Sequence, residues 1–126
     1  MGVVVMRLST MAKTWILDLD GLLVPHNGHL SGPDRLLPGV ADFAKKIGAN
    51  DKVVLLSSRD PSLQDAAIAF LKDAGIPVTA AVFGLPHGER ILFNDRKPSG
   101  LPTAHAVNLD RDQGMEGVAF ICDPPL

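Results

Sequence analysis

An apolar run that ends in two acids one residue apart, followed at once by glycine, restricts this chain more than any other stretch: Trp15-Ile16-Leu17-Asp18-Leu19-Asp20-Gly21. An extended strand alternates its side chains, so Asp18 and Asp20 leave the backbone on one face, at the end of a segment that otherwise belongs in a core. Two carboxylates that close repel, which raises the proton affinity of one of them unless a cation sits between them. Either outcome is useful chemistry. One carboxylate can act as nucleophile while the other moves protons, with a magnesium ion holding the pair. Gly21 lets the chain turn sharply and lets a ligand approach the backbone.

The rest of the chain alternates strand-like and helix-like segments around that run. Residues 14–19 and 52–57 read as strands, the second apolar on both faces as in a parallel sheet covered by helices. Residues 78–83, 90–94 and 104–109 read as three further strands, and residues 118–121 as a short edge strand. One helix is expected from Pro38 to Gly48, burying Val40, Phe43, Ala44 and Ile47. A second is expected between Asp60 as N-cap, with Pro61 after it, and Gly75, burying Leu63, Ala66, Ala67, Phe70 and Leu71. Residues 25–38, rich in Gly, Pro, His and Asn, read as a surface loop. The pattern predicts an α/β domain with a three-layer, Rossmann-like parallel sheet.

At 126 residues there is room for one domain. It is expected over residues 13–122, after a frayed leader at 1–12 in which Met11 is an alternative start, and before a tail at 123–126. A net charge of −2 without a basic run gives no case for nucleic acid or a membrane surface. The single Cys122 cannot close an internal disulfide, and no signal-peptide pattern or membrane-length apolar run is present. A cytoplasmic protein is the expectation.

In parallel α/β sheets ligands bind beyond the carboxyl ends of the strands. The first strand ends in Asp18 and Asp20, the second in Ser57-Ser58-Arg59 and the fourth in Asn94-Asp95. Together they bring three acids, a hydroxyl and nearby cations to one crevice. Three oxygen-donor acids suit Mg²⁺, and a hydroxyl with adjacent backbone N–H groups and a Lys or Arg suits a phosphoryl oxygen. Plainer roles stay open: Ser57 and Ser58 as turn or cap residues, Asn94-Asp95 as a turn before Pro98, Lys97 as a solvated lysine, Arg59 in a surface pair, and His26 and His29 as surface histidines.

Asp18-Leu-Asp-Gly, the apolar strand ending in Ser57, and Ile-Leu-Phe-Asn94-Asp95 together resemble the motifs of the haloacid dehalogenase-like (HAD) superfamily, mostly magnesium-dependent phosphohydrolases. The likeness runs over residues 14–109. The stretch from Pro86 to Gly100 also resembles small members associated with capsular polysaccharide or sugar-phosphate genes. The resemblance implies that Asp18 attacks phosphorus to form an aspartyl-phosphate. Asp20 protonates the leaving oxygen and then activates water, and Ser57 hydrogen-bonds the transferring group. Asp95 binds Mg²⁺ with Asp18 and the Asp20 carbonyl, with Asn94 beside it. Gly21, Ser58 and Arg59 would line the substrate side.

Two departures stand out. Leu22 follows Gly21 where the family commonly has Thr. The family's phosphate-binding Lys has no counterpart in Gly84-Leu-Pro-His-Gly-Glu89, which leaves Lys97 as the expected helper and Arg90 as the disfavoured one. No segment is long enough for a cap domain, so the site is expected to be open, either to a large substrate or to closure by a second copy of the chain. The expected activity is hydrolysis of a small phosphorylated metabolite, a sugar phosphate being the narrower implication. The rival is a catalytically inactive phosphate- or metal-binding partner subunit.

Overall fold

The computed structural model describes residues 4–123. Its strands are β1 (Val4–Leu8), β2 (Thr14–Asp18), β3 (Lys52–Leu56), β4 (Ala80–Val82) and β5 (Val118–Cys122), and its helices are α1 (Val40–Ala44) and α2 (Gln64–Asp73). They form two parallel sheets rather than one. The first has the order β2-β3-β4, with Thr14 opposite Lys52 and Asp18 opposite Leu56; the second is the pair β1-β5. The molecule is thus a mixed α/β fold built on parallel strands.

The core sits against one face of the first sheet. Leu17 of β2 and Val53 and Leu55 of β3 are buried together with Val40, Phe43 and Ala44 of α1 and Ala67 and Leu71 of α2. The opposite face is more open: Ile16 is exposed and Val54 and Leu56 are half-buried, so β3 is not sealed on both faces as its composition suggests. Trp15 packs edge-on against Phe43 at 5.3 Å and tilted against Phe120 of β5 at the same distance, which links the two sheets.

Local signals account for the helices. Asp60 caps the N-terminal turn, its carboxylate accepting from Ser62 N–H at 2.9 Å, and Pro61–Leu63 forms a 3₁₀ turn leading into α2. After Gly75 the chain folds back, with Ile76 N–H donating to the Leu71 carbonyl at 2.8 Å and its side chain fully buried. Leu63 and Ala66, expected in the buried stripe, are exposed. Helix α1 is shorter than the expected 38–48 because its last turn tightens: Lys46 and Ile47 donate to Phe43 and Ala44, three residues back.

The expected leader and the expected fourth and fifth strands need correction. Val4–Leu8 pairs along its length with β5, and Asp123 N–H extends the pairing to the Leu8 carbonyl, while residues 1–3 and 124–126 lie outside the described residues. Residues 90–94 and 104–109 carry strand-like patterns but no ladder, and Phe93 is 93% exposed. Alternation creates a strand only where an edge is offered for pairing, and neither segment meets one. Among the described residues, no helix is long and apolar enough to cross a membrane.

Candidate functional site

The end of β2 becomes a site because the chain reverses there. The Leu19 carbonyl accepts N–H groups from Leu22, Leu23 and Val24, and Gly21 donates to Val24 at 2.7 Å. Gly21 sits at φ +87°, a conformation that suits glycine. Leu19, Leu23 and Val24 are fully buried, so the turn is nailed to the core. Asp112 completes the brace from the far end of the chain: its N–H donates to the Gly21 carbonyl and its carboxylate accepts from His26 N–H at 2.7 Å.

Asp18 and Asp20 emerge from this turn into different surroundings. Asp18 is 44% exposed, and its Oδ1 accepts from Leu19 N–H and pairs with Arg90 Nη1 at 3.0 Å. Its other oxygen, Oδ2, accepts no hydrogen bond among the described residues and is free to meet a ligand. Asp20 is largely buried and held by Arg59. Arg59 Nε donates to Oδ1 and Oδ2 at 3.2 and 3.0 Å, and Nη2 donates to Oδ1 at 2.8 Å.

Arg59 also reaches Asp34, with Nη1 to Oδ2 at 3.0 Å and Nη2 to Oδ1 at 2.8 Å. Its side chain is only 4% exposed. Burial disfavours the charged guanidinium, but the hydrogen bonds to Asp34 and Asp20 and their negative charges outweigh it, so the proton is held more tightly than on an ordinary arginine. Arg59 is therefore not the surface-paired residue the sequence suggested, nor does it face outward as a substrate contact: all three of its nitrogens already serve carboxylates. His29 stands beside the group, its buried Nδ1 without a hydrogen-bond partner among the described residues and 3.7 Å from Asp20 Oδ1.

Ser57 sits where expected, at the end of β3, but faces inward. It is 1% exposed, and its Oγ accepts from Arg59 N–H at 3.0 Å, the turn role that was left open for it. That bond sets the backbone from which Arg59 reaches back to Asp20. Ser58 is half-buried. Asn94 donates to Thr103 Oγ1 at 3.0 Å and to the Asp95 carbonyl, and Asp95 and Lys97 are exposed. The cation beside Asp18 is thus Arg90, and Lys97 forms no ion pair among the described residues.

The oxygen set expected for magnesium is not assembled. Among the described residues no three Asp, Glu, His or Cys side chains converge on a cation-sized point. Asp18 faces Arg90, Asp20 faces Arg59, and Asp95 lies in the exposed segment, so the residues as placed do not fit the ion. A cavity of about 640 Å³ lies elsewhere, between β1, β2 and residues 92–109, with Leu8, Trp15, Leu17 and Phe120 among its walls.

Sequence reasoning did not single out Asp34. The available signal was Arg59 itself: an arginine directly after a buried strand end needs acidic partners, and the Gly-Pro-Asp34 turn supplies one. No protein-family model, curated protein or solved structure matches this chain.

Proposed function

We propose that the chain is a phosphohydrolase of the HAD type, acting on a small phosphorylated metabolite through an aspartyl-phosphate formed on Asp18. The observation that carries this reading is the division of labour at the end of β2. Asp18 is half-exposed, with one free oxygen and the Arg90 guanidinium at 3.0 Å, while Asp20, two residues on, is buried and held in one orientation by Arg59. A carboxylate beside a cation at an open strand end suits attack on a phosphoryl group whose charge the cation draws in.

In the proposed reaction, Asp20 takes the proton that the phosphate monoanion brings, Asp18 Oδ2 attacks phosphorus, the bond to the leaving oxygen breaks, and Asp20 delivers that proton to the leaving oxygen. Water then attacks the aspartyl-phosphate with Asp20 taking its proton, which releases inorganic phosphate and restores Asp18. Arg90 takes the charge-neutralising place first expected of Lys97. The finer fold assignment, a three-layer HAD domain without a cap, belongs to the same proposal.

The test is phosphate release from an aryl phosphate and from a panel of phosphorylated sugars and polyols, with and without Mg²⁺. Wild-type protein should turn over at least one of them, and Asp18→Asn should lower the rate by about 1,000-fold or more, since the amide cannot form the acyl-phosphate. Stimulation by Mg²⁺ would mean that Asp95 reaches Asp18 in the working protein, and metal-independent turnover would leave Arg90 as the neutralising group. The rival reading, a non-catalytic partner subunit, is favoured by the absence of a three-acid cluster among the described residues. Phosphate binding without turnover across the panel would establish it.

A further inference from the structure

The mechanism uses Asp20 but leaves unexplained why a second carboxylate is buried behind it. Arg59 lies between Asp20 and Asp34 and donates to both, three hydrogen bonds to the first and two to the second, all between 2.8 and 3.2 Å. Asp20 and Asp34 are 17% and 12% exposed at their side chains and Arg59 only 4%, so the guanidinium is buried while each carboxylate keeps some contact with solvent. A carboxylate and a guanidinium in this planar arrangement fix each other's orientation as well as their distance.

The bridge joins three pieces of chain that share no sheet hydrogen bonds. Asp20 lies in the turn after β2, Arg59 after β3, and Asp34 in the loop at residues 25–38. That loop is tied to the core at its far end by Leu37 N–H donating to the Leu23 carbonyl at 2.9 Å. Between Val24 and Leu37, His26 N–H donates to Asp112 and His29 Nδ1 lies 3.7 Å from Asp20, and the Asp34–Arg59 pair is the link that reaches the strand end through two short hydrogen bonds. If Asp34 were lost, Arg59 would keep Asp20 as its only carboxylate partner among the described residues and could swing with it, and the loop would lose its tie to Arg59.

We propose that Asp34 is a positioning residue for Asp20, acting through Arg59, and that it sets the aim of the proton delivered to the leaving oxygen. The proposal rests on the phosphohydrolase reading. It separates two kinds of substrate. An aryl phosphate departs as a stabilised phenoxide and needs little help from a proton, whereas an alkyl phosphate departs as an alkoxide and depends on a well-aimed acid. Misplacing an acid by about 1 Å costs on the order of 100-fold in rate.

The experiment measures kcat and KM for an aryl and an alkyl phosphate in wild type, Asp34→Ala and Asp34→Asn. Asp34→Ala should lower kcat for the alkyl phosphate by about 100-fold while the aryl phosphate loses far less, with KM little changed for both. Asp34→Asn, which keeps an acceptor for Arg59 but not the charge, should fall between. Equal losses on the two substrates, or no loss, overturn the proposal and leave Asp34 a purely structural residue. Should Asp34→Ala not fold, Arg59→Lys takes its place: its single ammonium cannot hold both carboxylates in plane, so the same divergence between substrates is expected. Wild-type protein inactive on both substrates removes the phosphohydrolase reading and the proposal with it, whereas active wild type with equal losses removes the proposal alone.

Discussion

Residues 14–85 and residues 86–117 carry similar strand-like patterns and behave differently. The first stretch holds all three strands of the larger sheet, both helices and the Asp20–Arg59–Asp34 bridge. The second has neither strand nor helix, and Ile91, Leu92 and Phe93 project from it at 78%, 60% and 93% exposure. The difference lies in partners. Leu17, Leu55 and Leu71 each have a facing element to pack against, and Phe93 has none among the described residues. An apolar alternating pattern states what a segment can bury, and only an available edge or face decides whether it does.

Truncating one residue on each side puts numbers on that contrast. Leu55→Ala removes a fully buried side chain from the middle of β3 and should cost about 2–5 kcal/mol in urea denaturation. Phe93→Ala should change stability by less than about 0.5 kcal/mol. A Phe93 effect as large as that of Leu55 would mean that residues 90–94 are packed in solution, and the contrast would break.

Gly114 marks the place where the second stretch returns to the first. It sits at φ +73°, and a Cβ there would lie 2.0 Å from the Pro38 carbonyl oxygen, too close for any atom. Met115 N–H donates to that same carbonyl at 2.8 Å. Gly114→Ala should therefore cost about 1–2 kcal/mol from the left-handed backbone alone, and more from the displaced contact. The loss should appear as a lower Tm together with faster hydrogen exchange at Met115. An unchanged Tm would show that this closure is not part of the stable structure.

The legible parts of the molecule were those fixed by short-range signals. Asp60 with Pro61 and Gly75 bounded α2, the 14–19 and 52–57 runs became β2 and β3, and Asp18, Asp20 and Ser57 came to the strand ends as their positions implied. What stayed hidden depends on long-range pairing. Val4–Leu8 looks like a frayed leader until β5, more than a hundred residues later, supplies its edge. Arg59 looks like a surface cation until Asp34 is folded over it, and Arg90 looks remote from Asp18 when residues 90–94 are drawn as a strand. A contact between residues far apart in sequence leaves no periodic trace in either one.

One carboxylate in the packed stretch offers a finer comparison with Asp95. Asp51 gathers three donors: Lys13 N–H at 2.9 Å, Trp15 Nε1 at 2.8 Å and Gly48 N–H at 2.8 Å. Burial works against its charge, but the Lys13, Trp15 and Gly48 hydrogen bonds and the Lys13 charge outweigh it and hold the carboxyl below the usual aspartate range. A folded-state value below the unfolded one adds stability that is fully present above the unfolded value, about pH 4, and is lost as the pH falls through the folded value. At pH 7, Asp51→Asn should therefore cost about 1 kcal/mol, modest because the group is partly solvated. The gap to wild type should narrow as the pH is lowered below about 4. Asp95 lies in the exposed stretch, where its backbone carbonyl accepts from Asn94 and Thr103 and its carboxylate enters no hydrogen bond among the described residues. Asp95→Asn should accordingly move stability at pH 7 by less than about 0.5 kcal/mol. Urea denaturation of both variants checks the pair, and equal losses would mean that Asp95 has found donors in solution, as the magnesium arm of the activity assay also asks.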